Sequence, residues 1–320
     1  MKTVSFHGIV AAREIVNRYL QRTPLRHYQE LSEQLGFQAN IKHENHLITG
    51  CFKVRGGINF IHNLPKDLKS RGVVTATRGN HGQSIAFAAT QFGVKATVVV
   101  PYGNNPDKNS AMKAFGAELI EHGKDFDEAL EICEKLQIEQ GLYYIHPCLE
   151  PELFHGVGTY SLEIFEDLPD VNVIVVPIGG GSGVCGAITV AKAINPNVKI
   201  IGVQAENAPA IYRSWKEGRH VETDSCDTIA DGLATRVPFS LPFSIINEGI
   251  DEIILVSEDE IREGIRNALR YTHNLAEGAA ASTIAGAYKL TEKLAGQKVV
   301  MIMSGGNIDM ETLKMVMTEN

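Results

Sequence analysis

Lys53 stands in the stretch ITGCFKVRGG (48–57), directly after Phe52, with glycines on both sides. A solvated surface lysine needs no such setting. A lysine that must shed its proton and attack a carbonyl carbon gains from apolar neighbours, because desolvation favours the neutral amine. A second segment, VVPIGGGSGVCG (175–186), packs Gly179, Gly180, Gly181, Ser182 and Gly183 in a row after an apolar run. Without Cβ atoms, backbone N–H groups there can wrap a phosphate at a helix N-terminus, and Ser182 adds a hydroxyl. So dense a glycine run exceeds what a tight strand–helix turn needs. It is not a P-loop, since no Gly-Lys-Ser/Thr follows, and it is not a G-x-G-x-x-G pattern with an early N-terminal strand, as a dinucleotide fingerprint would be.

A third segment, TRGNHGQS (77–84), gathers Thr77, Asn80, His81 and Gln83 in a turn and the first turn of a helix. Free N–H groups at such a place favour an anion such as a substrate carboxylate. Taken alone, Asn80 could equally be a helix N-cap and His81 a satisfied core histidine. A fourth, MIMSGGNID (301–309), sets Ser304 before two glycines. Alone, that serine reads equally well as a turn or cap residue. Together, a lysine, a phosphate cradle, a carboxylate cradle and a lone hydroxyl are the parts of a pyridoxal-phosphate site, with Lys53 as the Schiff-base lysine.

These segments need strands and helices to hold them. GVVTAT (72–77), KATVVVP (95–101), AELIEH (117–122), YYIHP (143–147), VNVIVVP (171–177), KIIGVQAE (199–206) and KVVMIMS (298–304) read as strands. Longer amphipathic stretches separate most of them. Near-continuous apolar strands between helices predict parallel sheets covered on both faces, an α/β fold. The runs divide into two groups. Residues 71–149 would form a small mobile domain on a four-stranded sheet, carrying the carboxylate turn. Residues 1–70 and 150–320 would form a larger one with the lysine, the glycine loop and Ser304. Ligands of such sheets bind beyond the carboxyl ends of strands, and all three loops that follow strands lie there.

Composition narrows the rest. The 320 residues carry a net charge of −8, 44% hydrophobic and 21% charged residues, as in soluble globular proteins. The negative balance and the lack of a basic block argue against nucleic acid as a partner. The N-terminal stretch is broken by Arg13, Glu14 and Arg18, so it reads as an amphipathic helix rather than a signal, and no membrane span is expected. The five cysteines are scattered, with no C-x-x-C pair, which fits reduced thiols in the cytoplasm. No histidine spacing typical of a metal site occurs, so no metal is expected.

The motifs resemble the fold-type II pyridoxal-phosphate enzymes, in the branch of threonine/serine dehydratases and serine racemases. T-G-S-F-K-x-R-G is matched by Thr49 to Gly56, with Cys51 in the serine place. S-x-G-N-H-x-Q is matched by Thr77 to Gln83, V-P-x-G-G-G-G by Val176 to Ser182, and S-G-G-N by Ser304 to Asn307. His146–Pro147, Gly156–Thr159 and Thr228–Ala234 also fit, so the likeness runs along nearly the whole chain in order. It implies a two-domain fold like that of the tryptophan synthase β chain. It implies that Lys53 bonds the cofactor and moves protons, with Phe52 packed on the ring. Asn80 would meet the ring hydroxyl, and Thr77, Asn80 and His81 the substrate carboxylate. Gly179 to Gly183 would hold the phosphate, and Ser304 would face the pyridine nitrogen. It implies β-elimination from a β-hydroxy amino acid such as L-threonine or L-serine, giving a 2-oxo acid and ammonia, in a homodimer or homotetramer.

Departures bear on the substrate. Dehydratases of this kind carry Ala, and racemases Ser, where this chain has Arg78, a permanent cation and a poor acid–base group. Racemisation is therefore disfavoured. Two placements of Arg78 stay open: inward, meeting a second carboxylate as in 3-hydroxyaspartate, or outward to solvent. The acidic places of the racemase-type metal site hold Gln204 and Ala210, with Glu206 shifted, so that site is expected to be missing. The chain ends about ten residues past Asp309, without the regulatory domain that feedback-inhibited biosynthetic dehydratases need, which favours a catabolic or specialised enzyme. Competing readings are β- or γ-replacement on the same fold, serine racemase, and a catalytically silent pyridoxal-phosphate-binding regulatory protein. The intact Lys53 weighs against the last.

Overall fold

The computed structural model describes residues 3–124 and 126–318. Ten strands form two sheets. The smaller has the order β5 (Glu118–Glu121), β4 (Ala96–Val100), β3 (Val73–Ala76), β6 (Tyr143–Tyr144), and every pair in it is parallel. The larger has the order β1 (Leu25–His27), β2 (Gln38–His43), β10 (Lys298–Met303), β7 (Val173–Pro177), β8 (Lys199–Ala205), β9 (Glu252–Val256). It is parallel except for the β1–β2 pair. The seven expected strands are all present, six of them within two residues of the expected bounds, while β6 stops at Tyr144, three residues short of the expected end. β1, β2 and β9 were not anticipated. β2 reads as polar because it carries Asn40, Lys42 and His43, yet all three are buried.

Helices cover both sheets. The amphipathic start of the chain is the helix Phe6–Val16, capped by Ser5 Oγ, which accepts from Gly8 N at 3.1 Å. The helix Pro151–Asp167 is almost wholly buried and packs against the helices Phe6–Val16, Lys53–Asn63 and Ser182–Ile194. One apolar core joins these helices to one face of the larger sheet, and two smaller apolar clusters lie on the smaller sheet. Burial on this scale is the main favourable term of folding.

The helix Lys53–Asn63 begins with the candidate lysine, and no side chain caps its N-terminus. Other contacts fix its start. Phe52 N donates to Ser304 O at 3.0 Å, and Gly306 N donates to Gly50 O at 2.9 Å. Cys51 and Gly305 form an isolated antiparallel bridge. Below, Arg55 is 1% exposed and its guanidinium is fully engaged. Nε donates to Glu44 Oε2 at 2.7 Å, Nη1 to Glu163 Oε1 at 2.7 Å, and Nη2 to Glu44 Oε1 at 2.9 Å and Glu163 Oε2 at 3.0 Å. Lys42 pairs with Glu163 from the other side, and Thr23 Oγ1 donates to Glu44 at 2.6 Å.

Buried charges are tolerated only when paired and saturated with hydrogen bonds, and removing one partner strands the others. Arg55→Met should therefore lower stability by about 3–5 kcal/mol, read from the midpoint of urea unfolding. A loss below about 1 kcal/mol, the range of exposed ion pairs, would show that this network does not hold the helix.

Candidate active site

Twelve residues singled out by sequence line one cavity of about 160 Å³: Phe52, Lys53, Thr77, Arg78, Asn80, His81, Gly179, Gly180, Gly181, Ser182, Gly183 and Ser304, whereas Gln83 is buried in the helix that follows the turn and does not line it. They come from the carboxyl ends of β3, β7 and β10 and from the start of the helix Lys53–Asn63. The cavity therefore lies where parallel strands of both sheets end.

The glycine loop leads into the helix Ser182–Ile194, whose N-terminus has no side-chain cap. Three of its glycines have reasons of their own. Gly181 has φ +93°, and a Cβ on Gly179 or Gly180 would strike Gly232 O at 1.9 Å or Cys148 Sγ at 2.4 Å. The glycine density thus reflects packing as well as any ligand, which corrects the argument that a turn alone would not need it. At Gly183 a Cβ would meet only ordinary contacts, Tyr160 Oη at 3.6 Å and the Phe52 ring at 3.7 Å. Lys53 reaches this loop: its Nζ donates to Ser182 Oγ at 3.0 Å and lies 5.1 Å from the centroid of the Phe52 ring.

On the opposite wall, Thr77 Oγ1 accepts from Gly79 N at 3.0 Å and orders the turn before the helix Asn80–Gln91. Ser84 Oγ donates to Lys53 O at 2.7 Å, which ties that helix to the lysine. Asn80 is not an N-cap; it opens the helix as its first residue. Its Nδ2 donates to both oxygens of Glu277, at 2.9 and 3.0 Å, and its Oδ1 accepts from Asn307 Nδ2 at 2.7 Å. Asn307 also donates to Thr49 O at 2.9 Å. This chain fixes which way round the Asn80 amide sits. Burial raises the Glu277 carboxyl above its ordinary range, although Asn80 opposes the shift.

His81 is buried, and its Nε2 has no hydrogen-bond partner among the described residues, so it is not a satisfied core histidine. Burial, reinforced by the charge of Lys53, pulls it down to about 3, so the ring is neutral at physiological pH. Arg78 is exposed on the rim of the cavity. Above the turn, Lys108 of the helix Pro106–Ala114 forms an ion pair with Asp231, joining the surroundings of the smaller sheet to those of the larger.

Glu277 and Lys108 escaped the sequence reading, and Asp231 falls in the matched segment Thr228–Ala234 but was given no role. A lone acidic residue inside the apolar run LAEGAAAS (275–282) was the available signal for Glu277. Nothing local marks the Lys108–Asp231 pair, whose members lie more than a hundred positions apart. No group of three or more His, Cys, Asp or Glu residues placed to hold a metal occurs among the described residues.

The residues fit pyridoxal phosphate. Ser304 Oγ is buried at the end of β10 with no hydrogen-bond partner among the described residues, as a hydroxyl reserved for a ring nitrogen would be. An uncapped helix N-terminus suits the phosphate, and the Lys53 amine stands beside it.

Comparison with known proteins agrees. The chain is 39% identical over 317 residues to an L-threonine ammonia-lyase of Thermotoga maritima, covering 99% of this chain and 79% of that protein. Its structure superposes on the processed form of threonine deaminase isoform 2 from Solanum lycopersicum with a TM-score of 0.92 at 34% identity, covering 98% and 94% of the two chains. On maize serine racemase the TM-score is 0.94 at 29% identity, covering 99% and 97%. Residues 16–305 match the family described as pyridoxal-phosphate dependent enzyme, and the chain belongs to that family.

Proposed function

We propose that this enzyme is an ammonia-lyase that removes the β-hydroxyl and the amino group of L-threonine or L-serine, releasing a 2-oxo acid and ammonia. The observation that carries this reading is the Lys53 amine at 3.0 Å from Ser182 Oγ, in the same cavity as partnerless Ser304 and the Thr77–His81 turn. Similarity over 99% of the chain to an L-threonine ammonia-lyase supports the substrate.

Pyridoxal phosphate, when bound, draws electrons from the substrate Cα and so acidifies its proton. Lys53 bonds the cofactor at rest and takes that proton during turnover. The backbone of Gly179 to Gly183 and the Ser182 hydroxyl hold the phosphate, and Phe52 flanks the ring. Thr77, Asn80 and His81 hold the substrate carboxylate. Asn80 keeps its orientation through Glu277 and Asn307, with its second amide hydrogen left for the ring hydroxyl. Ser304 would meet the pyridine nitrogen with a hydroxyl, which does not impose protonation as a carboxylate would, and such a partner would favour prompt loss of a β leaving group. Overall, the Cα proton and the β-hydroxyl leave as water, and the enamine hydrolyses to the 2-oxo acid and ammonia.

Racemisation needs an acid–base group on the face opposite Lys53. Position 78 holds an exposed guanidinium, which supports elimination. Its exposure also supports the outward placement, and with it a neutral side chain on the substrate rather than a second carboxylate. The same reading takes residues 71–149 as a small domain that moves against 1–70 and 150–320, with the Lys108–Asp231 pair crossing between them. It takes the protein as a cytoplasmic homodimer or homotetramer. Free cysteines, four of them buried, are in keeping with a reducing compartment.

Lys53→Ala should abolish 2-oxo acid release from L-threonine while leaving the circular-dichroism spectrum unchanged. Borohydride reduction and peptide mapping of the parent should label Lys53; a label on another lysine overturns the assignment. For specificity, Arg78→Ala should leave the ratio of threonine to 3-hydroxyaspartate turnover within about threefold of the parent. An inward guanidinium making charge-assisted bonds of about 1.5–3 kcal/mol each would instead shift that ratio by an order of magnitude or more.

A further inference from the structure

The Lys53 amine is not loose. It donates to Ser182 Oγ at 3.0 Å and lies over Phe52, 5.1 Å from the ring centroid. Ser182 is 2% exposed and is the first residue of its helix. Its backbone is held too: Tyr160, fully buried, donates from Oη to the carbonyl of the next residue, Gly183, at 2.8 Å. The hydroxyl is thus a fixed acceptor. No other hydrogen bond of its oxygen occurs among the described residues, so its own proton stays available to an anion in the glycine cradle.

The reading proposed above asks Lys53 to occupy two states. At rest its nitrogen is bonded to the cofactor. During elimination it is a free amine that must present its lone pair to the substrate Cα. A lysine stem has four rotatable bonds, and an unanchored amine spreads over many rotamers, which costs rate in a proton transfer that needs close alignment. In the structure one Lys53 N–H is given to Ser182.

We propose that Ser182 is a positioning residue for Lys53: its hydroxyl catches the amine whenever the lysine is not bonded to the cofactor and fixes the rotamer from which it removes the Cα proton. The inference rests on the function proposed above. In the step, the Cα–H bond breaks and an N–H bond forms on Lys53. The electron pair left on carbon expels the β-hydroxyl, and the Cα proton finally leaves in the water released. Ser182 exchanges no atom; it accepts one hydrogen bond before the transfer and keeps it after. This differs from a role as phosphate ligand alone, which would affect how tightly the cofactor is held and not how fast the lysine works.

The test compares the parent with Ser182→Ala and Ser182→Thr, each loaded with pyridoxal phosphate and assayed with L-threonine. Misplacement of a reacting group by about 1 Å costs up to about 100-fold in rate, so Ser182→Ala should lose about 10- to 100-fold in kcat at saturating cofactor. KM for L-threonine should stay near the parent value, and Ser182→Thr, which keeps the hydroxyl, should recover most of the rate. In the full chain stripped of cofactor, trinitrobenzenesulfonate should modify Lys53 faster in Ser182→Ala than in the parent, as read by peptide mapping. Loss of cofactor with kcat unchanged at saturation would reduce Ser182 to a phosphate ligand and overturn the proposal. An equal rate loss in Ala and Thr with unchanged labelling would do the same. Failure of the parent itself to turn over threonine would sink the proposed function instead, and the labelling result would still report whether Ser182 holds the amine.

Discussion

A buried guanidinium between two buried carboxylates sets the frame for this enzyme. Arg55 lies two residues after Lys53, and its bonds to Glu44 and Glu163 join the helix that starts at the lysine to the end of β2 and to the helix Pro151–Asp167. Lys42 balances the second carboxylate. Such a cluster adds little net stability over an apolar core of the same shape, because desolvation opposes the Coulomb gain. Its effect here is on register. The bonds form only when the helix sits at one height and one rotation, and that same height and rotation present Lys53 to the cavity.

Above this anchor, the site is assembled by backbone contacts. The segments 49–52 and 304–307 lie side by side through the Phe52–Ser304 and Gly306–Gly50 bonds, so the lysine and the partnerless serine face one space. Ser84 binds the carbonyl of Lys53 and brings in the turn from the other sheet. The side chains around this space are thus held largely by atoms that do no chemistry, and two of them keep uncommitted polar atoms. Ser304 Oγ and His81 Nε2 have no partners among the described residues. Unpaired buried polar atoms cost stability, and they concentrate at sites that await a ligand.

Glu277 shows how far the electrostatics extend beyond the residues that would touch the cofactor. Its carboxyl is buried at the head of the helix Gly278–Tyr288 and holds Asn80 by both oxygens. An asparagine amide is nearly symmetric in shape, so only its neighbours decide which end donates. Asn307 on one side and Glu277 on the other leave a single arrangement.

The sequence by itself determined the fold class and the reactive set. Seven of the ten strands are apolar runs long enough to read. The residues that line the cavity sit in short contiguous motifs, most of them just after strands, where a parallel sheet must place its loops, so Lys53, the glycine loop, the Thr77–His81 turn and Ser304 could be read as one group. Only the tertiary structure decided the rest. Lys42 and Glu163 look like surface charges along the chain, because nothing local says that a partner 121 positions away will neutralise them. β2 was missed for the same reason: its polar residues find distant partners, Lys42 in that network, Asn40 at the Val299 carbonyl and His43 at the Tyr28 hydroxyl. The exposure of Arg78, the Lys108–Asp231 crossing and the grip of Ser182 on the Lys53 amine, across 129 positions, depend on where distant segments meet. Side-chain period and motif spacing carry information over a few residues, whereas the partner of a charge or a hydroxyl is chosen by the packing of the whole chain.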